Sequence, residues 1–334
     1  MTVDGLAHQV LLQEAGLFES VREVGIDGGG GSGNLSIGLL PSPTAPAGDL
    51  IAMGRAMCKC MLADRPLGRG LGRFVFEYLV DAHERRVFHE PCAALRALAD
   101  FDPELAQRWS QLLVSPLEGL TLDLFDPEAE DEELPADPEA IGRAIVAGCR
   151  HKLLTCRRAG LEALRQGFAD QALHGFDLTM QLGALSSEEL LLLMRGKTEM
   201  SSEDLLDCFE WPPPDSARAA QAGFASIGSE VPRFFREVLL DASDETALCA
   251  EQRLALFEWC TALTALPCGG LKEKIKLRLW EEGEDNDLPS VHTCTHEVHL
   301  PAYRSRETLR AKLLMAVEHR HDGFQMKRCG TPRG

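Results

Sequence analysis

The chain has 334 residues and carries 52 acidic against 34 basic ones, a formal charge of −18. That acidity argues against nucleic acid as a partner, because phosphate backbones would be repelled. The length allows two domains with separate cores, and 45% hydrophobic with 26% charged residues is the balance of a folded chain rather than a disordered one.

Helical patterning dominates. Apolar residues recur at helix spacing from Gly5 to Ala15, and Gly16 closes the run. Residues 27–33 read DGGGGSG, a flexible loop; a phosphate cradle would need a Gly-Lys-Ser/Thr ending, and here Asn34 and Leu35 follow. Residues 50–62 and 74–80 read as buried helices, and 102–114 as another with Leu105, Trp109, Leu112 and Leu113 on one stripe. The acidic stretch 126–133, with Pro127 and Pro135 as breakers, reads as a solvated loop. One helix is expected over 138–166. Ser186 and Glu189 have capping-box spacing, and Gly196 stops the helix they open. A short helix starts at Ser201 or Ser202 and ends at Trp211–Pro214, and helices follow over 231–240 and 252–263. After residues 267–270 the period changes: 275–279, and in part 291–300, alternate as strands do. A last helix, 306–319, puts Leu309, Leu313, Ala316 and Val317 on one face.

The densest apolar run, residues 190–194, is far short of the roughly 20 residues a bilayer demands, so no membrane span is expected. The opening MTVDGLAHQVLLQEAG has an early acid and no basic flank, unlike a signal peptide. The 11 cysteines, an odd number scattered through a long chain, fit a reducing cytoplasmic or nuclear compartment better than a disulfide framework.

Chemistry concentrates in residues 288–300, LPSVHTCTHEVHL. On an extended strand His292, Cys294 and His296 share one face, and three readings follow. A zinc site draws on the same residue types, with His299 close by, but alternate positions of one strand stand roughly 6 to 7 Å apart and do not readily close one tetrahedron. A second reading is a buried structural cysteine with surface histidines. The third is a nucleophilic cysteine whose neighbouring imidazole favours the thiolate, which suits a cysteine hydrolase or an acyl carrier equally.

A longer pattern surrounds this block. LPSVHTC is followed by LPAYRSRETLRAKLLMAVEH and then by Asp322-Gly323-Phe324. Upstream stand residues 266–270 (LPCGG), 234–239 (FFREVL), 188–196 (EELLLLMRG), and Gly54-Arg55 with DRPLGRGLGRFVFEYLV. Together these resemble the catalytic domain of HECT ubiquitin ligases over nearly the whole chain, most strongly from Leu161 onward. The His-Thr-Cys block with its downstream helix is the specific part.

The resemblance implies an α+β, bilobal fold. A mostly helical N-terminal lobe would cover residues 1–195, with a conjugating-enzyme-binding subdomain at about 93–158. A hinge would lie at Gly196, Lys197 and Thr198, and a smaller α/β C-terminal lobe would cover 199–334. The resemblance also implies that Cys294 is the catalytic nucleophile, that His292, Thr293 and Leu288 support its loop, and that Phe324 belongs to a C-terminal tail used in transfer. Leu105, Trp109 and Leu112 align with the docking surface; core packing is the ordinary role of such a stripe, and an exposed Trp109 would favour docking. The implied partners are a ubiquitin-conjugating enzyme, ubiquitin and a protein substrate that the sequence does not identify, and no metal or organic cofactor is required. The sequence departs from the family at several places. Thr295-His296 stand where Phe-Asn is usual, Ala262 where glycine is common and Phe235 where tryptophan is. Ala144 and Gly148 lie near expected aromatics, and residues 325–334 run past Phe324. An inactive HECT-like interaction scaffold and a ubiquitin-directed cysteine hydrolase are the two alternatives; the hydrolase would need an oriented histidine base and an oxyanion hole.

Overall fold

Two helices of the chain begin the same way, with an aspartate cap and a proline at the first helical position, where the missing N–H costs nothing. Asp102 accepts from the Leu105 N–H at 3.0 Å ahead of Pro103, and Asp137 accepts from the Ala140 N–H at 3.0 Å ahead of Pro138. The computed structural model describes residues 16–20, 38–67, 70–81, 86–170, 175, 178–211, 230–243, 246–280 and 282–319. The run 27–33, the proline stretch 212–214, Phe324 and residues 325–334 lie outside them. The chain divides into two compact units, one ending at Gly196 and one starting at Lys197.

Among the described residues the first unit pairs β1 (Phe18–Glu19) with β2 (Leu40–Pro41) antiparallel, and its longer elements are helices. Its helices are α1 (Ala47–Leu62), α2 (Arg73–Val80), α3 (Pro91–Ala99), α4 (Pro103–Val114), α5 (Pro138–Leu153), α6 (Arg158–Phe168), α7 (Leu178–Leu182) and α8 (Ser187–Arg195). α1 and α6 cross at backbone distance because glycine stands at the crossing on both. A Cβ on Gly54 would meet the Leu164 carbonyl at 2.1 Å, and one on Gly167 would meet the Ile51 carbonyl at 2.0 Å. The single helix expected over 138–166 is two. α5 ends at Leu153 with Leu154 as its C-cap, a 3-10 turn follows at Thr155–Arg157, and the chain restarts as α6. The break lets Arg157, 8% exposed, turn inward, where it bonds the Lys152 carbonyl and Glu19 and lies over the Phe101 ring. A buried guanidinium is tolerated only when paired in this way.

The second unit carries a four-stranded sheet in the order β3 (Phe209–Glu210), β4 (Ile275–Trp280), β6 (Glu297–Pro301), β5 (Ser290–His292). The β3–β4 and β4–β6 pairs are parallel, and β5–β6 is antiparallel. Among the described residues its helices are α9 (Ser202–Asp207), α10 (Glu230–Leu240), α11 (Ala250–Thr261) and α12 (Arg306–Glu318). Ile275, Leu277, Val298 and Leu300 share a core with Phe235, Phe257, Leu309 and Leu313, so the apolar alternation of the strands faces the helices. Residues 291–300 are a hairpin and not one strand. The Thr295 N–H returns to the His292 carbonyl at 3.1 Å, and His296 takes a left-handed φ of 51°. No glycine or Asn-Gly pair announces that turn in the sequence.

Candidate functional site

Cys294 sits exposed in the four-residue turn, residues 293–296, between β5 and β6. His292, Cys294 and His296 therefore do not share a strand face: His292 ends β5 and the other two belong to the turn. The hairpin register sets a different face. His292 pairs with Glu297 and Ser290 with His299, so the His292 and His299 rings meet edge to face, 4.8 Å apart. From the neighbouring strand β4, Arg278 holds Glu297 Oε1 with Nε at 3.0 Å and Nη2 at 2.8 Å. The Thr295 hydroxyl lies 3.4 Å from both the His292 carbonyl and Glu297 Oε2. Behind the turn, the Lys276 N–H donates to the His296 carbonyl at 2.7 Å, and the His296 ring meets the Glu273 carbonyl at 3.1 Å.

The electrostatics follow from those contacts. The Arg278 bond holds the Glu297 carboxyl below the usual range. His299 is pushed down chiefly by burial and then by the facing His292, against a smaller opposing pull from Glu297. Its Nε2 is buried without a hydrogen bond, 3.8 Å from Glu297 Oε2. A neutral imidazole and a paired carboxylate thus lie beside the Cys294 turn. Arg278 and Glu297 form no recognisable motif in the sequence; the signal was the β4 and β6 alternation combined with their parallel register.

Of the loop residues expected to support Cys294, His292 is exposed, Thr293 half-buried and Leu288 39% exposed. What fixes the approach to β5 is the buried Pro289 together with the Tyr303 hydroxyl, which donates to the Asp287 carbonyl at 2.8 Å. Among the described cysteines, burial pushes Cys149 and Cys208 up to about 12 and also raises Cys58 and Cys260. Cys92, Cys156, Cys249, Cys268 and Cys294 are exposed. Among the described residues no group of three or more His, Cys, Asp or Glu side chains is placed to hold a metal ion.

Trp109 does not present the exposed ring that docking asked for. It is 6% exposed and packs against Phe125 with ring centroids 5.4 Å apart. The reason is the departure on α5: Gly148 has no side chain there, and the indole takes the space. Leu105 and Leu112 are half-buried against the same core. The large apolar side chains that this region does expose are Val114, Leu117 and Leu124. Gly196 caps α8 with φ 75° and ψ −177°, a conformation open to glycine alone. Lys197 exchanges both backbone hydrogen bonds with Leu266, at 2.8 and 3.1 Å, and its ammonium pairs with Asp204. Thr198 follows this bridge. No described helix is long and apolar enough to cross a membrane.

Comparison with known proteins adds a family. The model of the HECT-domain (ubiquitin-transferase) family matches residues 36–327. A bifunctional serine/threonine-protein kinase/NEDD4-like E3 ubiquitin-protein ligase of Dictyostelium discoideum is 27% identical over 81% of this chain. E3 ubiquitin-protein ligase TOM1 of Saccharomyces cerevisiae is 29% identical over 52% of the chain, and E3 ubiquitin-protein ligase hecd-1 of Caenorhabditis elegans is 32% identical over 46%. The chain spans only 13% of the first relative's length and 5% of each of the other two. With the family model covering most of the sequence, the chain belongs to the HECT-domain ubiquitin-transferase family.

Proposed function

We propose that this chain is the catalytic unit of a HECT-type ubiquitin-protein ligase, acting in the cytoplasm or nucleus through a thioester on Cys294. The observation that carries the reading is the exposed thiol at the tip of the β5–β6 hairpin, inside a chain of this family. The Cys294 thiolate attacks the thioester carbonyl of a charged conjugating enzyme; the new S–C bond forms and the enzyme's thiolate leaves. A substrate lysine amine then attacks the carbonyl on Cys294, an isopeptide bond forms and the Cys294 thiolate is released. Exchange between thioesters is nearly balanced in energy, so the protein's contribution is positioning, and no cofactor enters.

Two folded partners must reach the same sulfur in turn, which calls for a pivot between the units. Gly196 is that pivot, because Lys197 is already tied to Leu266 by two backbone bonds. The conjugating enzyme docks on the 93–158 subdomain through Val114, Leu117 and Leu124, exposed apolar side chains of the kind that anchor interfaces. The burial of Trp109 is the one observation that favours the scaffold alternative, since it removes the expected aromatic anchor. One experiment separates the readings. The protein is mixed with charged conjugating enzyme, and a ubiquitin adduct removable by thiol reductant is sought in wild type and in Cys294→Ala. The reading requires the adduct in the first and its loss in the second. No adduct in wild type supports the scaffold, and a reducible adduct that persists in the alanine variant moves the nucleophile to another cysteine.

A further inference from the structure

The acidic loop after α4 and the 3-10 turn after α5 bring three residues together, far in sequence from Cys294. Cys156 Sγ lies 3.2 Å from His151 Nε2, and His151 Nδ1 lies 3.1 Å from Asp126 Oδ1. The second contact falls off the line of a hydrogen bond, so Asp126 acts on the ring as a nearby charge. The His151 and Asp126 side chains are mostly buried, while Cys156 is exposed. The order is thiol, imidazole, carboxylate, the arrangement that activates a nucleophilic cysteine. Among the described residues no other exposed thiol has an imidazole within hydrogen-bond distance.

We propose that Cys156 is a second nucleophilic thiol, activated by His151 and Asp126, and the site at which this protein is oxidised by hydroperoxides. In the reaction His151 takes the thiol proton and the sulfur attacks one oxygen of the hydroperoxide. The S–O bond forms as the O–O bond breaks, and the leaving oxygen collects the proton from His151. Cys156 is oxidised by two electrons to the sulfenic acid, and the hydroperoxide is reduced to an alcohol or, for hydrogen peroxide, to water.

The test treats the full chain with substoichiometric hydrogen peroxide, traps sulfenic acid with dimedone and reads each cysteine by peptide mass spectrometry. Cys156 should be labelled about tenfold or more faster than Cys92, Cys249 and Cys268, the exposed thiols without an imidazole partner. His151→Gln should bring Cys156 down to their rate, and Asp126→Asn should lower it part of the way. A second readout is alkylation by iodoacetamide: between pH 8 and pH 6 the rate at Cys156 should fall less than at Cys92. If His151→Gln does not fold, the wild-type ranking and the pH profile decide. Labelling of Cys156 at the rate of Cys92, or parallel pH profiles for the two, overturns the proposal. Neither readout depends on ubiquitin transfer, so failure here is distinct from failure of the Cys294 reading.

Discussion

The indole of Trp109 occupies the space that a side chain at position 148 would claim: a Cβ on Gly148 would stand 2.7 Å from Trp109 Cη2 and 2.6 Å from the Phe125 carbonyl. The two residues are complementary, a large ring on α4 seated against a missing side chain on α5. Trp109→Ala should therefore destabilise the first unit by about 3–5 kcal/mol, the range for emptying a buried aromatic site. Thermal or urea unfolding checks this, and a melting point near that of wild type would return the ring to the surface.

Docking is tested on residues that carry no such packing. Leu117→Asp and Leu124→Asp alter exposed side chains, so their effect on stability should stay within about 0.5 kcal/mol. If these side chains meet the conjugating enzyme, the affinity measured by titration calorimetry should fall by about 1–3 kcal/mol. Unchanged affinity in both variants moves the docking surface elsewhere.

Ala262 caps α11 in the left-handed region, φ 56° and ψ 25°, where the family commonly has glycine. An L residue there carries about 1–2 kcal/mol of strain, partly offset because glycine is more costly to order. Ala262→Gly should stabilise the second unit by about 0.5–1 kcal/mol in urea unfolding. A destabilised variant would mean that the alanine methyl contributes packing larger than its strain.

The carboxyl of Asp241 is pulled down to about 2, chiefly by bonds from the Thr246 hydroxyl and the Ser243 N–H, with Arg306 of α12 also paired to it. Its value in the unfolded chain is about 4. The folded state thus binds the proton less readily, so this stabilisation is fully present above about pH 4 and is lost as the pH falls towards 2. Asp241→Asn should lower stability at pH 7 and flatten the fall between pH 4 and pH 2, both visible in chemical unfolding curves. A pH profile parallel to that of wild type would mean that Asp241 is not ionically linked to folding.

The parts of this architecture legible in the sequence were those encoded locally. Ser186 with Glu189 forms the capping box its spacing announced, Ser201 caps α9, and the strand over 275–279 extends one residue to Trp280. What escaped depended on distant partners. The helix expected over 138–166 breaks at Leu154, where Arg157 turns in towards Glu19, 138 residues away. The seating of Trp109 depends on Gly148, and the grouping of Cys156 with Asp126 depends on a loop folding back on α5. The hairpin at Cys294 escaped because His296 supplies its left-handed residue in place of glycine.

That hairpin carries the last prediction. Its tip is held to the sheet by Glu297, which accepts two bonds from Arg278 and stands 3.4 Å from the Thr295 hydroxyl beside Cys294. The pair is partly exposed, so its worth to global stability is small, about 1 kcal/mol or less. On the proposed thioester mechanism its worth to positioning is larger, because the exchange needs the sulfur within roughly 3 to 3.5 Å of the incoming carbonyl. Glu297→Ala should leave the melting temperature nearly unchanged and slow formation of the Cys294 adduct by about tenfold. Glu297→Gln keeps an acceptor for Arg278 without the charge and should recover part of the rate. Single-turnover loading from charged conjugating enzyme measures both. Loading at the wild-type rate in Glu297→Ala would show that the turn holds Cys294 in place without Arg278.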